Sequence, residues 1–192
     1  MTGQRARHHL SAIKEIRPRK LTRRFWHQGP TGRALAFFPS PATYGARYHR
    51  EGTDGAWYAS SRERAAWAEL FRHHQSPELS PFEVRRRIGR VRVEELAVLD
   101  LTDPEVRERI GVTEDELVSG DLSLCQAIGD IASKAGFDGI LAPSAALPGE
   151  ATLAVFPNGM KRVVEEHSRI QRPPRTLMRV LRRIRLPPHG PG

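Results

Sequence analysis

The chain has 192 residues, of which 39% are hydrophobic and 28% charged, and a formal net charge of +9. Such proportions describe a soluble globular domain with one core; no run approaches the roughly 20 apolar residues of a bilayer span, and residues 1–24 lack the apolar segment of a secretory signal. The lone cysteine, Cys125, excludes an internal disulfide and a cysteine metal cluster, so a reducing, cytoplasmic setting is expected.

Residues 1–24 and 161–192 each carry a net +7, which leaves −5 on residues 25–160. A folded nucleic-acid reader carries its Lys and Arg on the face that meets phosphate, and here the positive charge sits on the two ends instead. Three parts are expected: a basic, partly ordered N-terminal arm at 1–20, a domain at 21–167, and a basic proline-flanked tail at 168–192.

Leu21 to Trp26 is the expected first strand. Pro30-Thr31-Gly32, Pro39-Ser40-Pro41 and Gly45 break up the next stretch, where Ala34 to Phe38 is the piece expected to be buried. Thr53-Asp54-Gly55 turns the chain into a short strand, Ala56-Trp57-Tyr58-Ala59. Ser60-Ser61-Arg62-Glu63 has the capping-box pattern and opens a helix to about His74, favoured by Ala65, Ala66, Ala68 and Leu70 and ended before Pro77. Glu69 follows Ala66 by three positions and Ala65 by four, so it lies on the small-residue face, where a carboxylate can border a cleft.

Val91 to Leu101 contains a strand, Leu96-Ala97-Val98-Leu99-Asp100-Leu101, after which Thr102 or Asp103 caps and Pro104 opens a helix ended by Gly111. Thr113-Glu114-Asp115-Glu116 is a second capping box. Leu124, Ala127, Ile128, Ile131 and Ala135 form a helical stripe that must cover a sheet, with Gly136 suited to the left-handed end position. Phe137-Asp138-Gly139 leads into a strand, Ile140-Leu141-Ala142, stopped by Pro143-Ser144. Ala151 to Phe156 is a further strand, Asn158-Gly159 a turn, and Arg162 to Glu166 an edge strand. Helices and strands mix without regular βα alternation, which predicts an α+β domain: a mixed sheet with flanking helices. Between Pro173-Pro174 and Pro187-Pro188, Arg175 to Leu186 reads as a basic amphipathic helix striped by Leu177, Val180, Leu181 and Ile184. It either docks on its own domain or seeks an anionic membrane or nucleic acid.

Several words of the sequence, in order, are similar to those of the RES-domain family, the toxin component of a class of bacterial toxin–antitoxin pairs. They are Ala46-Arg47-Tyr48-His49, Trp57-Tyr58-Ala59-Ser60, the Glu69 helix, the segment from Leu96 to Thr102, the one from Leu124 to Gly129, and the one from Phe137 to Ala145. The family often has Trp-Asn where this chain has Tyr48-His49. The resemblance implies a fold like that of ADP-ribosyltransferase toxins and cleavage of the nicotinamide–ribose bond of NAD, taken as substrate rather than cofactor, with water, phosphate or a protein side chain as acceptor. It further implies a helix-turn-helix antitoxin, and with it a hetero-oligomer; a homodimer is the other assembly considered.

For that chemistry Glu69 is the candidate catalytic carboxylate, placed to stabilise an oxocarbenium-like sugar or to hold a ribose hydroxyl. Tyr58 can stack on nicotinamide while its hydroxyl holds the ribose. Arg47 is the candidate partner of the pyrophosphate, with Arg24 second to it, and the Ser144 hydroxyl can reach the nicotinamide amide or ribose. Gln126 and Asp100 read as structural and Cys125 as a buried thiol. The histidines show no metal spacing, and no glycine-rich dinucleotide fingerprint is present. A rival expectation is a non-enzymatic scaffold whose basic ends engage nucleic acid or a membrane.

Overall fold

The computed structural model describes residues 8–38, 42–74, 78–177 and 179. Among them are six strands: β1 (Arg19–Gly29), β2 (Trp57–Ser60), β3 (Arg86–Asp100), β4 (Gly139–Pro143), β5 (Ala151–Val155) and β6 (Val163–Gln171). The helices are α1 (Glu63–His73), α2 (Pro104–Ile110), α3 (Glu114–Val118) and α4 (Ser123–Lys134). The domain is therefore mixed α+β, as the sequence predicts.

β3 is the organising strand. Antiparallel β1 runs along one of its edges from Arg19 opposite Val98 to Gly29 opposite Arg87. The other edge is shared: β6 pairs antiparallel with Arg86 to Val93, and β4 pairs parallel with Val98 to Asp100. β4 pairs with β5, β5 with β2, and β2 returns to β1 where Ser60 meets Trp26. The sheet thus curls until β1 and β3 close it, and β6 remains at an edge.

Alternation along the strands builds two cores. Leu21, Phe25, Trp57, Ala59, Val93, Leu96, Val98, Leu141, Leu153 and Val155 meet inside the curl. Ile140, Ala142 and Ala154 point the other way, under Ile128, Ala132, Leu117 and Ile110 of the helices. Both faces of β4 are buried, which explains its unbroken apolar run. α1 lies across β1 and β2, with Ala66, Trp67 and Leu70 packed on Trp26, Ile88 and Leu177.

Local signals hold where local chemistry decides. Asp103 caps α2 by accepting from Glu105 N, and Gly111 ends it at φ +70. Both bonds of the Thr113/Glu116 capping box form.

Several expectations change; of Ala34 to Phe38 only Leu35 is buried, and Phe37 is exposed. The 60–63 capping box does not form: Ser60 is taken by strand pairing with Thr152, Arg62 occupies the cap position without a side-chain bond, and Glu63 accepts instead from Arg169 at 2.6 Å and Gln171 at 3.3 Å. β3 begins at Arg86, five residues before Val91, because β1 and β6 flank this arginine-rich half on both edges. The inward stripe of α4 is Cys125, Ile128, Gly129 and Ala132, while Leu124 and Ile131 flank it and Ala135 is exposed. Residues 8–20, assigned by sequence to the arm, are built into the body: Leu10–Glu15 forms a 3-10 turn whose Ile13 is fully buried with Leu10, Ala12 and Ile16 against the helical core, and Arg19 and Lys20 open β1. A fully buried isoleucine contributes about 2 kcal/mol, more than exposed basic neighbours cost. Of the expected helix at 175–186, only the 3-10 turn Arg175–Leu177 and Arg179 fall within the described residues; Leu177 is buried on Trp67, and the rest lies outside them.

Candidate active site

The loop ahead of β2 doubles back on itself. Ala46 N donates to His49 O at 2.9 Å and His49 N to Ala46 O at 3.4 Å, and Gln126 Nε2 of α4 donates to the same two carbonyls at 3.2 and 3.4 Å. Gly129, one turn further along α4, admits the loop: a Cβ there would lie 2.2 Å from the Tyr48 carbonyl oxygen. A helix-interior glycine is about 1 kcal/mol less favourable than alanine, so it needs a packing reason, and this approach supplies it.

Tyr58 leaves β2 toward this loop. Its hydroxyl oxygen accepts from Tyr48 N at 3.0 Å and lies 3.0 Å from His49 Nδ1. The His49 ring, itself buried, has Nε2 3.2 Å from the Tyr44 carbonyl. Burial holds the His49 pKa below its usual value, against the pull of that carbonyl. Burial likewise raises the Tyr58 phenol well above its usual value, so it stays protonated.

Glu69 approaches from α1. Ala65 and Ala68 of that helix pack on Ala146 and Leu147, and Arg72 Nη1 donates to Ala145 O at 3.1 Å, clamping α1 to the turn after β4. The Glu69 side chain is 24% exposed and pairs with His73 Nε2 at 3.3 Å. A pair of this spacing on an exposed helix face is worth only about 0.3–0.5 kcal/mol, so it is readily exchanged for another partner. Arg47 and Glu69 both lie near enough for their charges to act on the Tyr58 phenol, Arg47 lowering and Glu69 raising its pKa.

The other placements are more specific than the sequence allows. Arg47 Nη1 donates to the carbonyls of Leu117, at 2.8 Å, and Ser119, at 3.0 Å, at the end of α3; its Nε and Nη2 hydrogens are not committed by these bonds. Ser144 is buried, and its hydroxyl oxygen accepts from the amides of Ala146 and Leu147 at 3.3 and 3.1 Å, holding the turn that borders α1. Arg24 is committed elsewhere: its Nε grips both carboxylate oxygens of Glu166 at 3.0 and 2.9 Å, a carboxylate shared with Arg90 and Arg92. It borders a depression of about 420 Å³ with Arg23, Trp26, Ser61, Arg62 and Arg90, near the start of α1. A second depression, of about 670 Å³, lies by His8, Leu10, Glu116 and Leu124. Neither of these two is lined by Tyr58 or Glu69.

Cys125 is buried, and burial raises its thiol pKa. Among the described residues no cluster of His, Cys, Asp or Glu is arranged to hold a metal, and no helix is long and apolar enough to cross a membrane. His49 is the site residue that sequence reasoning misses. Its only signal is its place two positions after Arg47, because the bond to Tyr58 depends on the doubled-back loop.

The chain belongs to the RES-domain family, whose model matches residues 15–177. Among curated proteins it is 48% identical over 180 residues to the probable NAD(+) phosphorylase Rv3189 of Mycobacterium tuberculosis, covering 94% of this chain and 86% of that one. It is also 32% identical over 105 residues to the NAD(+) phosphorylase MbcT of Mycobacterium bovis, covering 53% of this chain and 56% of that protein. The solved structure of the M. tuberculosis MbcT–MbcA toxin–antitoxin complex contains a similar fold, with a TM-score of 0.76 at 22% identity over 90% of this chain and 96% of that one.

Proposed function

We propose that this chain is an NAD-consuming toxin that cleaves the nicotinamide–ribose bond on an ADP-ribosyltransferase-like fold, with inorganic phosphate as the acceptor of ADP-ribose. The observation that carries the reading is the Tyr58 hydroxyl, held at 3.0 Å by the amide of Tyr48 next to Arg47, on the strand that leads into the helix bearing Glu69. Phosphate is favoured over water or a protein side chain by the names of the two phosphorylase relatives.

The chemistry asks little of a proton donor. As the ribose C1–N bond breaks, its electron pair neutralises the pyridinium nitrogen, so nicotinamide leaves uncharged and C1 becomes oxocarbenium-like. The Glu69 carboxylate stabilises that positive charge, an effect of about 3–4 kcal/mol for a well-placed group. A dianionic phosphate then attacks C1 through oxygen, and the product is ADP-ribose phosphorylated at C1. Tyr58 holds the ribose beside Glu69. Arg47, through Nε and Nη2, is the partner of the pyrophosphate, and the Ser144 turn, packed on α1, holds that helix in place. Arg24, with Arg23, Arg62 and Arg90 around it, is the further candidate for phosphate contacts, near the start of α1. An antitoxin partner is inferred, since the similar fold is that of a toxin–antitoxin complex.

Expression in a bacterial host tests this reading. Cellular NAD should fall and growth stop on induction, and Glu69→Gln should restore both. NAD levels that do not move on induction of the wild-type chain would contradict it.

A further inference from the structure

His49 joins Tyr58 to the Tyr44 carbonyl, and the polarity of that chain of hydrogen bonds is fixed by what each end can do. The Tyr44 carbonyl only accepts, so His49 Nε2, 3.2 Å away, carries a proton. A neutral imidazole then has an unprotonated Nδ1, which accepts the Tyr58 hydroxyl proton across 3.0 Å. The Tyr48 amide only donates, so its 3.0 Å bond occupies one lone pair of the Tyr58 oxygen. In this state Tyr58 has its hydrogen turned to His49 and one lone pair left for a ligand.

We propose that His49 is a positioning residue that sets the direction of the Tyr58 hydroxyl, and that the site works only while its imidazole is neutral. The inference rests on the reading of Tyr58 as a ribose-holding group. Protonation puts a hydrogen on Nδ1, and His49 then donates to the Tyr58 oxygen. With two donors on it, that oxygen has no lone pair for a ribose hydroxyl, and its own hydrogen swings outward. The imidazolium also adds positive charge beside a cationic substrate and an oxocarbenium-like transition state. The titratable and charged groups around this bond are Tyr58 on β2, Tyr44, Arg47, Tyr48 and Arg50 on the same loop, Cys125 on α4 and Glu69 on α1, with Asp130 of α4 reached through Arg50. Neither carboxylate bonds the His49 ring: Asp130 pairs with Arg50 at 3.0 Å and Glu69 with His73 at 3.3 Å.

Two measurements decide it. Nitrogen NMR of histidine-labelled wild-type protein, without ligand, should show His49 near pH 8 with a protonated Nε2 and a pyridine-like Nδ1. Steady-state NAD cleavage with inorganic phosphate should lose kcat/KM by about tenfold per pH unit below the His49 pKa. His49→Asn places a carbonyl oxygen near the Nδ1 position, accepts from Tyr58 and cannot titrate; it should keep activity within about tenfold of wild type and lose that acid limb. An Nδ1-protonated neutral ring, or an acid limb unchanged in His49→Asn, overturns the proposal. If no form cleaves NAD the functional reading fails, and the ring-nitrogen spectrum still decides the bond polarity by itself.

Discussion

Arg47 donates to the carbonyl of Leu117 at 2.8 Å, tying the loop ahead of β2 to the end of α3. The guanidinium proposed as the anion anchor is therefore also a structural strut, through Nη1. Charge-assisted hydrogen bonds of this kind contribute about 1.5–3 kcal/mol. Arg47→Ala should lower unfolding stability by about 2 kcal/mol in a urea titration and also raise KM for NAD. A variant with wild-type stability and a raised KM would leave only the anchoring role.

Glu69 is held by a helix-surface pair with His73 and little else, so its removal should leave the fold intact. Glu69→Gln should lower nicotinamide release by about 10²–10³-fold while shifting Tm by no more than a degree or two. Turnover close to wild type would remove this carboxylate from the mechanism.

Gly129 lets the Tyr48 backbone rest on α4, and the Tyr48 amide holds the Tyr58 hydroxyl. Gly129→Ala should push the loop away despite its better helix propensity, costing about 1–3 kcal/mol of stability. Activity should fall with it, because the Tyr48 amide moves with the loop. Thermal melts and NAD cleavage check the two effects separately, and a more stable, fully active variant would contradict the close approach.

Half-buried His27 stacks on Trp57 with ring centroids 4.7 Å apart, and its Nδ1 donates to the Tyr58 carbonyl at 2.5 Å. Burial lowers its pKa to about 4. The folded state therefore keeps His27 neutral where the unfolded chain takes up a proton, so stability is full above about pH 6.5 and falls as pH drops toward 4. The loss attributable to this group is about 3 kcal/mol over that window. Denaturant titrations at stepped pH should show the slope in wild type and a flatter one in His27→Gln; equal slopes would contradict it.

The sequence is most informative where neighbours along the chain decide the outcome. Asp103 with Pro104 and Gly111, and Thr113 with Glu116, fix α2 and α3 as read. It misleads where a distant segment wins: Ser60 belongs to Thr152 across the sheet rather than to a helix cap, and α4 turns Gly129 inward because Tyr48 lies against it. Arg47, Tyr58 and Glu69 are legible as chemical types on three successive segments. The carbonyls that hold Arg47, the turn that Ser144 closes and the link from His49 to Tyr58 are not, because each depends on how the loops fold back across the sheet.

The most direct test is to incubate purified protein with NAD, with and without inorganic phosphate, and to follow nicotinamide and the phosphorylated sugar product by chromatography and mass spectrometry. Phosphate-dependent release of nicotinamide, with ADP-ribose recovered as its C1 phosphate, is the predicted result. No nicotinamide from the wild-type chain, whether phosphate, water or cell-extract protein is offered as acceptor, would contradict the account.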